Sequence, residues 1–498
     1  MLALSLLCCL TPQVGVNLEP VRDWHRQTPF VDAFKSARPW ISHQAGTHPS
    51  GFAWGGGPPA QLDAKGWPQS LQPHQWLESI VYADQGGNYP SGVYTIRWDG
   101  GGTIEPRAGG NGQLTVLHQA PGLIRCALRV PTQGLFSLRI TSMAQPIRNV
   151  RVYLPGWDQS RQVFSPDFLA SLKPFQAVRF MNWQRINDSP VRAWAEVPGT
   201  NHYTQATDAG VAPAYMAQLC NELGADMWLC VPHLATNHYV ASLAQLIDKA
   251  LRHDLTLYLE YSNEVWNSQF GQNAYAASQG QALGLGSTPW VAAWRYYAQR
   301  SVEVFQVFQA ELRVDRELVR VLAGQSVNPW VGTQIMDWQN AYQHADAYAV
   351  APYWGGSLGS ASNAATTAAM DLRTLLYACD LNSQQQHQLR TSQNAIEAQQ
   401  RGLALLAYEG GQHLVGVGAA QNNQTLTDLF VAANRHPAMR SLYFRDLLRW
   451  DANGGGLFMA YRLTGQPSRF GSFGLLEYQN QPLPAAHKLR GLLEFMSR

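Results

Sequence analysis

The amino-acid sequence predicts an α/β fold, a closed (β/α)8 TIM barrel with a β-sandwich-like domain inserted between barrel strands one and two. Short apolar segments recur along the 498 residues, and many of them alternate with stretches of helical periodicity. Eight such segments can be counted, which is the number that a closed parallel barrel requires. The first two are separated by a connection much too long for a βα loop, so a second domain is expected there.

The predicted barrel strands are apolar runs that end in polar or aromatic residues. They are residues 14–18, 177–180, 227–231, 255–261, 318–323, 347–351, 403–408 and 457–461. Helical patterns precede several of them, including 166–172, where Ser165 is placed as the N-cap and proline follows at the first helical position. The Gln-rich segment 383–388 is expected to form a surface loop between helices.

The inserted domain is predicted over residues 82–155, with residues 14–81 as the start of the barrel and 156–498 as its remainder. Five runs with strand character lie in or near the insert, separated by turn signals such as DGGGT and AGGNG: 92–98, 113–117, 123–130, 135–141 and 150–154. Both of its connections leave from near the first barrel strand. We therefore expect the insert to pack over the C-terminal face of the barrel and to shape the cleft there.

The composition excludes several classes of protein. Lys and Arg number 36 against 34 Asp and Glu, and only 14% of residues are charged, so no basic face for nucleic acid is expected. The longest apolar run, residues 1–10, is about half of what a bilayer span needs. With 17 Trp, 20 Tyr and 17 Phe, the chain has far more buriable surface than a disordered protein. Low charge and many aromatic and amide side chains favour a neutral polar ligand such as carbohydrate.

The N-terminal residues 1–13 leave two interpretations open. MLALSLLCCL resembles the apolar core of a secretory signal but lacks a basic start and a cleavage site, so it is either a truncated signal or an ordinary N-terminal strand. The first interpretation predicts a secreted or periplasmic protein. The six cysteines have no zinc-site spacing, and we expect mostly buried thiols, no metal and no cofactor.

Two segments place a glutamate at the end of a predicted barrel strand. In LYLEYSNEVWN (257–267), Asn263 and Glu264 follow the fourth strand, and in LALLAYEGGQH (403–413), Glu409 follows the seventh. Reacting groups of a β/α barrel lie at the C-terminal ends of its strands. Two carboxyl groups there form the minimal machinery of glycoside hydrolysis, although each glutamate could instead pair with a nearby arginine.

The two segments resemble those of the retaining glycoside hydrolases of clan A, the superfamily of cellulases, mannanases and β-glycosidases. The resemblance implies that Glu264 is the acid/base and Glu409 the nucleophile of a double displacement on a β-linked oligo- or polysaccharide. It also implies that Arg179 holds the nucleophile ionised, that Tyr353 hydrogen-bonds the nucleophile, and that His233 lines the glycone subsite. The chain most resembles poorly described bacterial proteins that carry the same EYSNEVWN segment. The insert, and Tyr461 and Arg462 after the eighth strand, depart from the pattern and leave the substrate open.

Aromatic residues near strand ends are candidates for stacking on sugar rings. Two or three of five tryptophans are expected to touch sugar, with Trp354, beside Tyr353, as the first choice. The five are Trp24, Trp183, Trp266, Trp330 and Trp354. Trp266 is also expected to provide an apolar wall that raises the pKa of Glu264, and Asn263 to bond a sugar hydroxyl.

Two other functions stay open at this point. Residues 355–359 read G-x-S-x-G, so Ser357 could be the nucleophile of an esterase, with Asp371 or Asp380 and then His413 or His436 completing a triad. The chain could also be a carbohydrate-binding barrel that has no turnover. The sugar, its linkage, endo or exo action and the oligomeric state do not follow from the sequence.

Overall fold

The computed structural model of the chain describes residues 13–45, 54–130 and 132–498. The segment interpreted as a signal or an N-terminal strand, residues 1–13, lies outside the described residues except for Gln13, so secretion stays a prediction. Over the described ranges, no helix is both long enough and apolar enough to cross a bilayer.

Eight parallel strands close into a barrel, as the sequence predicts. The first strand pairs with both the second and the eighth, because Val16 is in register with Val178 on one side and with Ala460 on the other. The strands in order are Val14–Asn17, Ala177–Arg179, Asp226–Val231, Leu257–Tyr261, Leu318–Ala323, Ala347–Val350, Ala404–Ala407 and Gly455–Ala460. Most of their residues are buried, since helices cover the outside and side chains fill the interior.

Helices and short turns connect the strands. The first helix follows its predicted signal, since Pro166 opens it and the Ser165 side chain accepts a hydrogen bond from the Phe168 amide. The α-helices are Pro166–Leu172, Pro213–Leu223, Asn237–Ala250, Gly271–Ala282, Pro289–Ala310, Pro329–Met336, Ala364–Ala368, Leu372–Gln385, Ser392–Gln399, Gln424–Arg435, Ala438–Ala452 and His487–Met496. The 3₁₀ segments are Ala33–Ser36, Trp194–Glu196, Trp338–His344, Gly356–Gly359, Gly418–Asn422 and Leu483–Ala485.

The segment expected to be a loop at 383–388 is helical instead, so that prediction is wrong. Leu372–Gln385 runs into a π-helical turn, Gln386–Thr391, and then into Ser392–Gln399. His387 is fully buried at this turn, and its two ring nitrogens lie 2.9 Å from Thr391 Oγ1 and 2.8 Å from Asp446 Oδ1. Buried partners for the polar side chains, which sequence composition does not reveal, stabilise the helix.

The connection between the first two barrel strands forms two packed antiparallel sheets. One sheet has the order Ile41–Gln44, Gln75–Ala83, Gly134–Met143 and Gly102–Gly110, and the other Arg148–Tyr153, Gly92–Asp99, Leu123–Arg129 and Gln113–Ala120. A short ribbon pairs Gln61–Leu62 with Pro68–Ser70. The predicted boundary at residue 82 falls within Gln75–Ala83, and the sheets begin at Ile41. Gly102–Gly110 escaped prediction because Pro106 breaks its pattern, and this strand is at the sheet edge, where proline is tolerated.

The sheets pack against loops that follow the first and second barrel strands. Arg38 forms an ion pair with Asp23, 2.7 Å between Nη2 and Oδ2, and the Ala83 amide donates to the Asp23 carbonyl. From the second loop, Tyr203 packs on Trp67 and its hydroxyl accepts from the Trp40 amide at 3.1 Å. Because these loops leave the C-terminal ends of their strands, the contacts lie on the side of the barrel where the two glutamates are.

Candidate active site

The backbone after the fourth strand turns sharply and presents Glu264 at the barrel mouth. Ser262 and Glu264 both have left-handed backbone conformations, with φ of 62° and 43°, which residues other than glycine rarely adopt. Such conformations persist where surrounding contacts hold them, and they cluster at functional sites. The Gln272 side chain supplies one such contact, because its amide donates to the Asn263 carbonyl at 2.8 Å.

Glu409 lies at the end of the seventh strand and is almost fully buried. Its Oε1 accepts from Arg179 Nη1 at 3.1 Å, and its Oε2 accepts from the Tyr353 hydroxyl at 3.0 Å. A glycine is needed directly after it, because a Cβ at position 410 would lie 2.3 Å from Phe458 Cζ. The structure thus brings together the arginine, the tyrosine and the glutamate of strands two, six and seven.

Arg179 is fully buried at the end of the second strand and has anions on two sides. In addition to its contact with Glu409, its Nη2 and Nε donate to Glu260 Oε2 at 2.8 and 3.2 Å. Nη1 also donates to Asn17 Oδ1, and Nη2 to Asn263 Oδ1. The sequence reasoning missed Glu260, although a glutamate inside the apolar run LYLEY had to be buried and therefore paired.

Glu264 accepts two hydrogen bonds that do not come from a cation. The Tyr408 hydroxyl donates to its Oε1 at 3.1 Å, and Asn267 Nδ2 donates to its Oε2 at 2.9 Å. Trp266 Nε1 in turn lies 3.3 Å from the Tyr408 hydroxyl. Trp266 therefore contacts the Glu264 network through Tyr408, which directly precedes Glu409 in the chain. Neither Tyr408 nor Asn267 was singled out from the sequence.

Asn263 is held by polar partners on both sides of its amide. Besides the bond from Arg179, its Nδ2 donates to Asn187 Oδ1 at 2.9 Å, and Asn187 is bound in turn by Gln272. The Asn263 side chain is therefore fixed beside both Glu264 and Arg179.

Burial governs the protonation of the two carboxyl groups. It raises the pKa of Glu264, against the bonds from Asn267 and Tyr408 that favour the anion. It also raises the pKa of Glu409 to about 7, an effect that Arg179 opposes and the charge of Glu264 reinforces. The two carboxyl groups titrate as a coupled pair. The pair keeps one proton up to a pH well above the usual pKa of a carboxyl group.

A cleft of about 1110 Å³ opens beside Glu264. Trp266, Tyr353, His413 and Phe473 line it, along with residues from the loops after strands four to eight. Tyr353 and His413 stack edge to face at 5.5 Å, and Phe473 packs on both rings. The aromatic cluster thus forms the inner end of the cleft, next to the hydroxyl that contacts Glu409.

Two predicted substrate contacts lie away from this cleft. Trp354 is fully buried and packs edge to face on Tyr443, so neither face of its ring is open to a sugar, and its placement contradicts the stacking prediction. His233 is 7% exposed, its ring contacts Tyr275, and burial lowers its pKa. Trp183 is also buried, whereas Trp24 and Trp330 are exposed outside the described lining of the cleft.

The residues proposed for a serine esterase do not assemble into a triad. Ser357 Oγ accepts from Asn382 Nδ2 at 3.0 Å. Asp371 caps a helix by accepting from the Thr374 amide, and Asp380 forms ion pairs with Arg445 and Arg449. Both candidate aspartates are thus committed to other partners, and this arrangement disfavours esterase chemistry.

Comparison with known proteins gives matches by structure only. No family model matches the chain, and no curated protein does. Matching solved structures include an arabinofuranosidase from Xanthomonas axonopodis pv. citri (13% identity, 60% of each chain covered, TM-score 0.35). Others are a broad-specificity endoglucanase from Clostridium acetobutylicum (10%, 68% of this chain and 91% of that one, TM-score 0.37) and fungal β-1,4-galactanases (13%, 66% and 91%, TM-score 0.36).

The chain covers 60% of the length of the arabinofuranosidase that it matches. The assignment of the fold here comes from the strand order of the chain itself. In fold, the chain is a closed (β/α)8 barrel with additional β-sheets after its first strand.

Proposed function

We propose that the protein is a retaining glycoside hydrolase that cleaves a β-linked oligo- or polysaccharide, with Glu409 as nucleophile and Glu264 as acid/base. One observation carries the proposal: two carboxyl groups, Glu264 half-buried at the cleft and Glu409 buried, follow the fourth and seventh barrel strands, and of these two Glu409 is the one that contacts a cation. Two carboxyl groups of one site take different roles when their environments favour different protonation states.

Glu409 has the environment that a nucleophile needs. The charge of Arg179 and the hydroxyl of Tyr353 both favour its anion, and both oxygens are positioned by these bonds. In the first step, a Glu409 oxygen attacks the anomeric carbon and forms a glycosyl-enzyme, while the bond to the leaving oxygen breaks.

Glu264 has the environment that an acid needs. Burial raises its pKa and its two donors are neutral, whereas the charge of Arg179 opposes protonation of Glu409, so we assign the proton that the pair shares to Glu264. Glu264 gives this proton to the leaving oxygen. It then accepts a proton from the water that attacks the glycosyl-enzyme, which restores both carboxyl groups and retains the anomeric configuration.

The experiment compares two variants on substrates with different leaving groups. Glu409→Ala should lose nearly all turnover on every substrate, since no covalent intermediate forms. Glu264→Ala should be impaired least on aryl glycosides with activated leaving groups, which need little protonation. Glu494→Ala is the control, because it removes a surface carboxylate that pairs with Arg440 and lies outside the described lining of the cleft.

The configuration of the first product, followed by NMR, tests the mechanism. A retained product is expected, as is a separation of about 5 to 5.5 Å between the two carboxyl groups in a crystal structure. An inverted product would refute the double displacement. Sugar binding with no turnover on a panel of β-linked glucans, xylans, mannans and galactans would instead indicate a binding protein.

A further inference from the structure

The cleft lies on one side of the two carboxyl groups. Glu264 lines it, and on the Glu409 side it is bounded by Tyr353, the residue that donates to that carboxylate. An acid must reach the leaving oxygen, so the leaving group lies on the acid's side of the bond that breaks. If the proposed function is right, this cleft holds the leaving group.

The opposite side of the barrel mouth is filled by the protein's own side chains. Glu19 follows the first strand, is 2% exposed, and accepts from Thr464 Oγ1 at 2.8 Å while pairing with Arg462. Trp183 follows the second strand, is 1% exposed, and donates from Nε1 to the Glu19 carbonyl at 3.1 Å. His233, after the third strand, is also buried, so this side has little room for a long glycone.

The wall of the cleft is apolar and neutral over most of its described surface. Four large apolar side chains on it are 45% to 62% exposed: Val327, Leu389, Val417 and Phe470. Exposed apolar patches of this kind mark binding surfaces. Between them lie amides, namely Asn267, Gln269, Gln325, Asn382, Gln385, Gln386 and Gln421. Of the described lining residues, Arg390 is a permanent cation, and Glu264 and His413 are ionisable.

The segment that carries Leu389 is held rigidly. It is the π-helical turn Gln386–Thr391, a geometry that occurs often at functional sites. Gln386 Nε2 donates to Ser326 Oγ at 2.7 Å, and His387 is fixed by Asp446 behind the turn. The turn therefore presents Leu389 to the cleft without a further ordering cost when a ligand binds.

We infer that this cleft binds the leaving-group part of a neutral oligosaccharide, over more than one sugar ring, and that the enzyme acts from the end of the chain. The inference rests on the proposed function. Pyranose rings have apolar faces and polar rims, which the exposed apolar side chains and the amides of the wall match. A cleft of 1110 Å³ exceeds the range of about 300 to 1,000 Å³ that holds drug-sized ligands, so it has room for several rings.

The test compares leaving groups of different length on one glycone. The substrates are an aryl glycoside and neutral β-linked oligosaccharides of two to five units, labelled at the reducing end, together with acidic oligosaccharides of the same lengths. We expect kcat/KM to rise with the length of the oligosaccharide beyond the disaccharide. We also expect the labelled chain to become shorter by one short glycone in each catalytic cycle.

Leu389→Ala and Leu283→Ala form a matched pair of variants. Both leucines are exposed, 62% and 56%, but Leu283 ends a helix away from the described lining of the cleft. Because sugar would cover part of Leu389, its loss should lower the ratio of kcat/KM on the longest oligosaccharide to that on the aryl glycoside by about tenfold. Leu283→Ala should leave that ratio at its wild-type value.

The possible failures are distinguishable. Hydrolysis of aryl glycosides with no dependence on oligosaccharide length, with internal cleavage from the first products, or with a preference for acidic chains would overturn this inference and leave the proposed function standing. Absence of hydrolysis on every substrate would refute the proposed function, and this inference with it.

Discussion

Glu260→Gln tests whether the carboxylate beneath Arg179 controls the nucleophile. Glu260 is fully buried, and its Oε2 accepts from Trp228 Nε1 at 3.0 Å as well as from two nitrogens of Arg179. Its charge raises the pKa of Glu409, whereas Arg179 lowers it. Removing the charge leaves Glu409 as the anion that balances Arg179, so the pKa of Glu409 should fall.

The size of the shift follows from the geometry around one guanidinium. Two unit charges about 8 Å apart, on opposite sides of that guanidinium, interact by about 2 kcal/mol at an effective dielectric near 20, which corresponds to about 1.5 pH units. The nucleophile must be ionised, so the acidic limb of the kcat/KM profile should move to lower pH by up to that amount. The loss of the buried ion pair lowers the free energy of unfolding. Because glutamine keeps the shape of the side chain and one acceptor oxygen, the loss should be about 3 kcal/mol, at the lower end of the range for a broken buried pair.

The assay is the pH profile of kcat/KM on an aryl glycoside, with thermal unfolding measured in parallel. Glu78→Gln is the control, because Glu78 is also buried and pairs with Arg139 and Ser137, but lies in the sandwich. Both variants should lower Tm, by about 3 °C for a loss of about 3 kcal/mol if the 498 residues unfold as one unit. If Glu260→Gln lowers Tm but leaves the acidic limb unmoved, Glu260 is structural only and the reasoning is refuted.

Three further changes have expected outcomes. Tyr353→Phe removes the bond to Glu409 Oε2, so the acidic limb should move to higher pH, opposite to Glu260→Gln, and kcat/KM should fall by about tenfold to a hundredfold; an unmoved limb would contradict this. Asp446→Ala leaves His387 and Ser383 without their buried acceptor, and denaturant unfolding should show a loss of about 3 kcal/mol. Burial lowers the pKa of Lys488 to about 7, so the unfolded chain binds the extra proton and the free energy of unfolding should rise with pH from about 7 to 10. Lys488→Met should remove this contribution and leave the one of Lys35, whose pKa burial lowers to about 8.

The barrel could be predicted because its strands are short and apolar and many of them are followed by a helical pattern. Val14–Asn17 and Ala404–Ala407 illustrate this, since both lie within the segments that the sequence indicates. The sandwich was harder, because Gln75–Ala83 is buried along nearly its whole length between two neighbouring strands and shows no alternation. A fully buried strand has no polar face by which a sequence pattern could distinguish it.

The candidate site also contains residues whose position could be predicted from the sequence and residues whose position could not. Glu264, Glu409, Arg179 and Tyr353 follow barrel strands, and the barrel closes them around one point, so sequence order was enough to bring them together. Trp354 follows a strand equally closely, but the structure turns its side chain into the core against Tyr443. Sequence position indicates which loop a residue belongs to and does not indicate which way its side chain points.

Burial, together with the charge balance at the barrel centre, explains why the pKa of Glu409 is raised although this glutamate contacts an arginine. One cation, Arg179, is bound by two carboxylates, Glu260 and Glu409, and neither is in contact with bulk water to any extent. With Glu264 nearby, three carboxyl groups share one guanidinium, so full ionisation of all three would leave uncompensated negative charge in a buried site. The site therefore retains a proton near neutral pH, and the proposed function assigns that proton to Glu264.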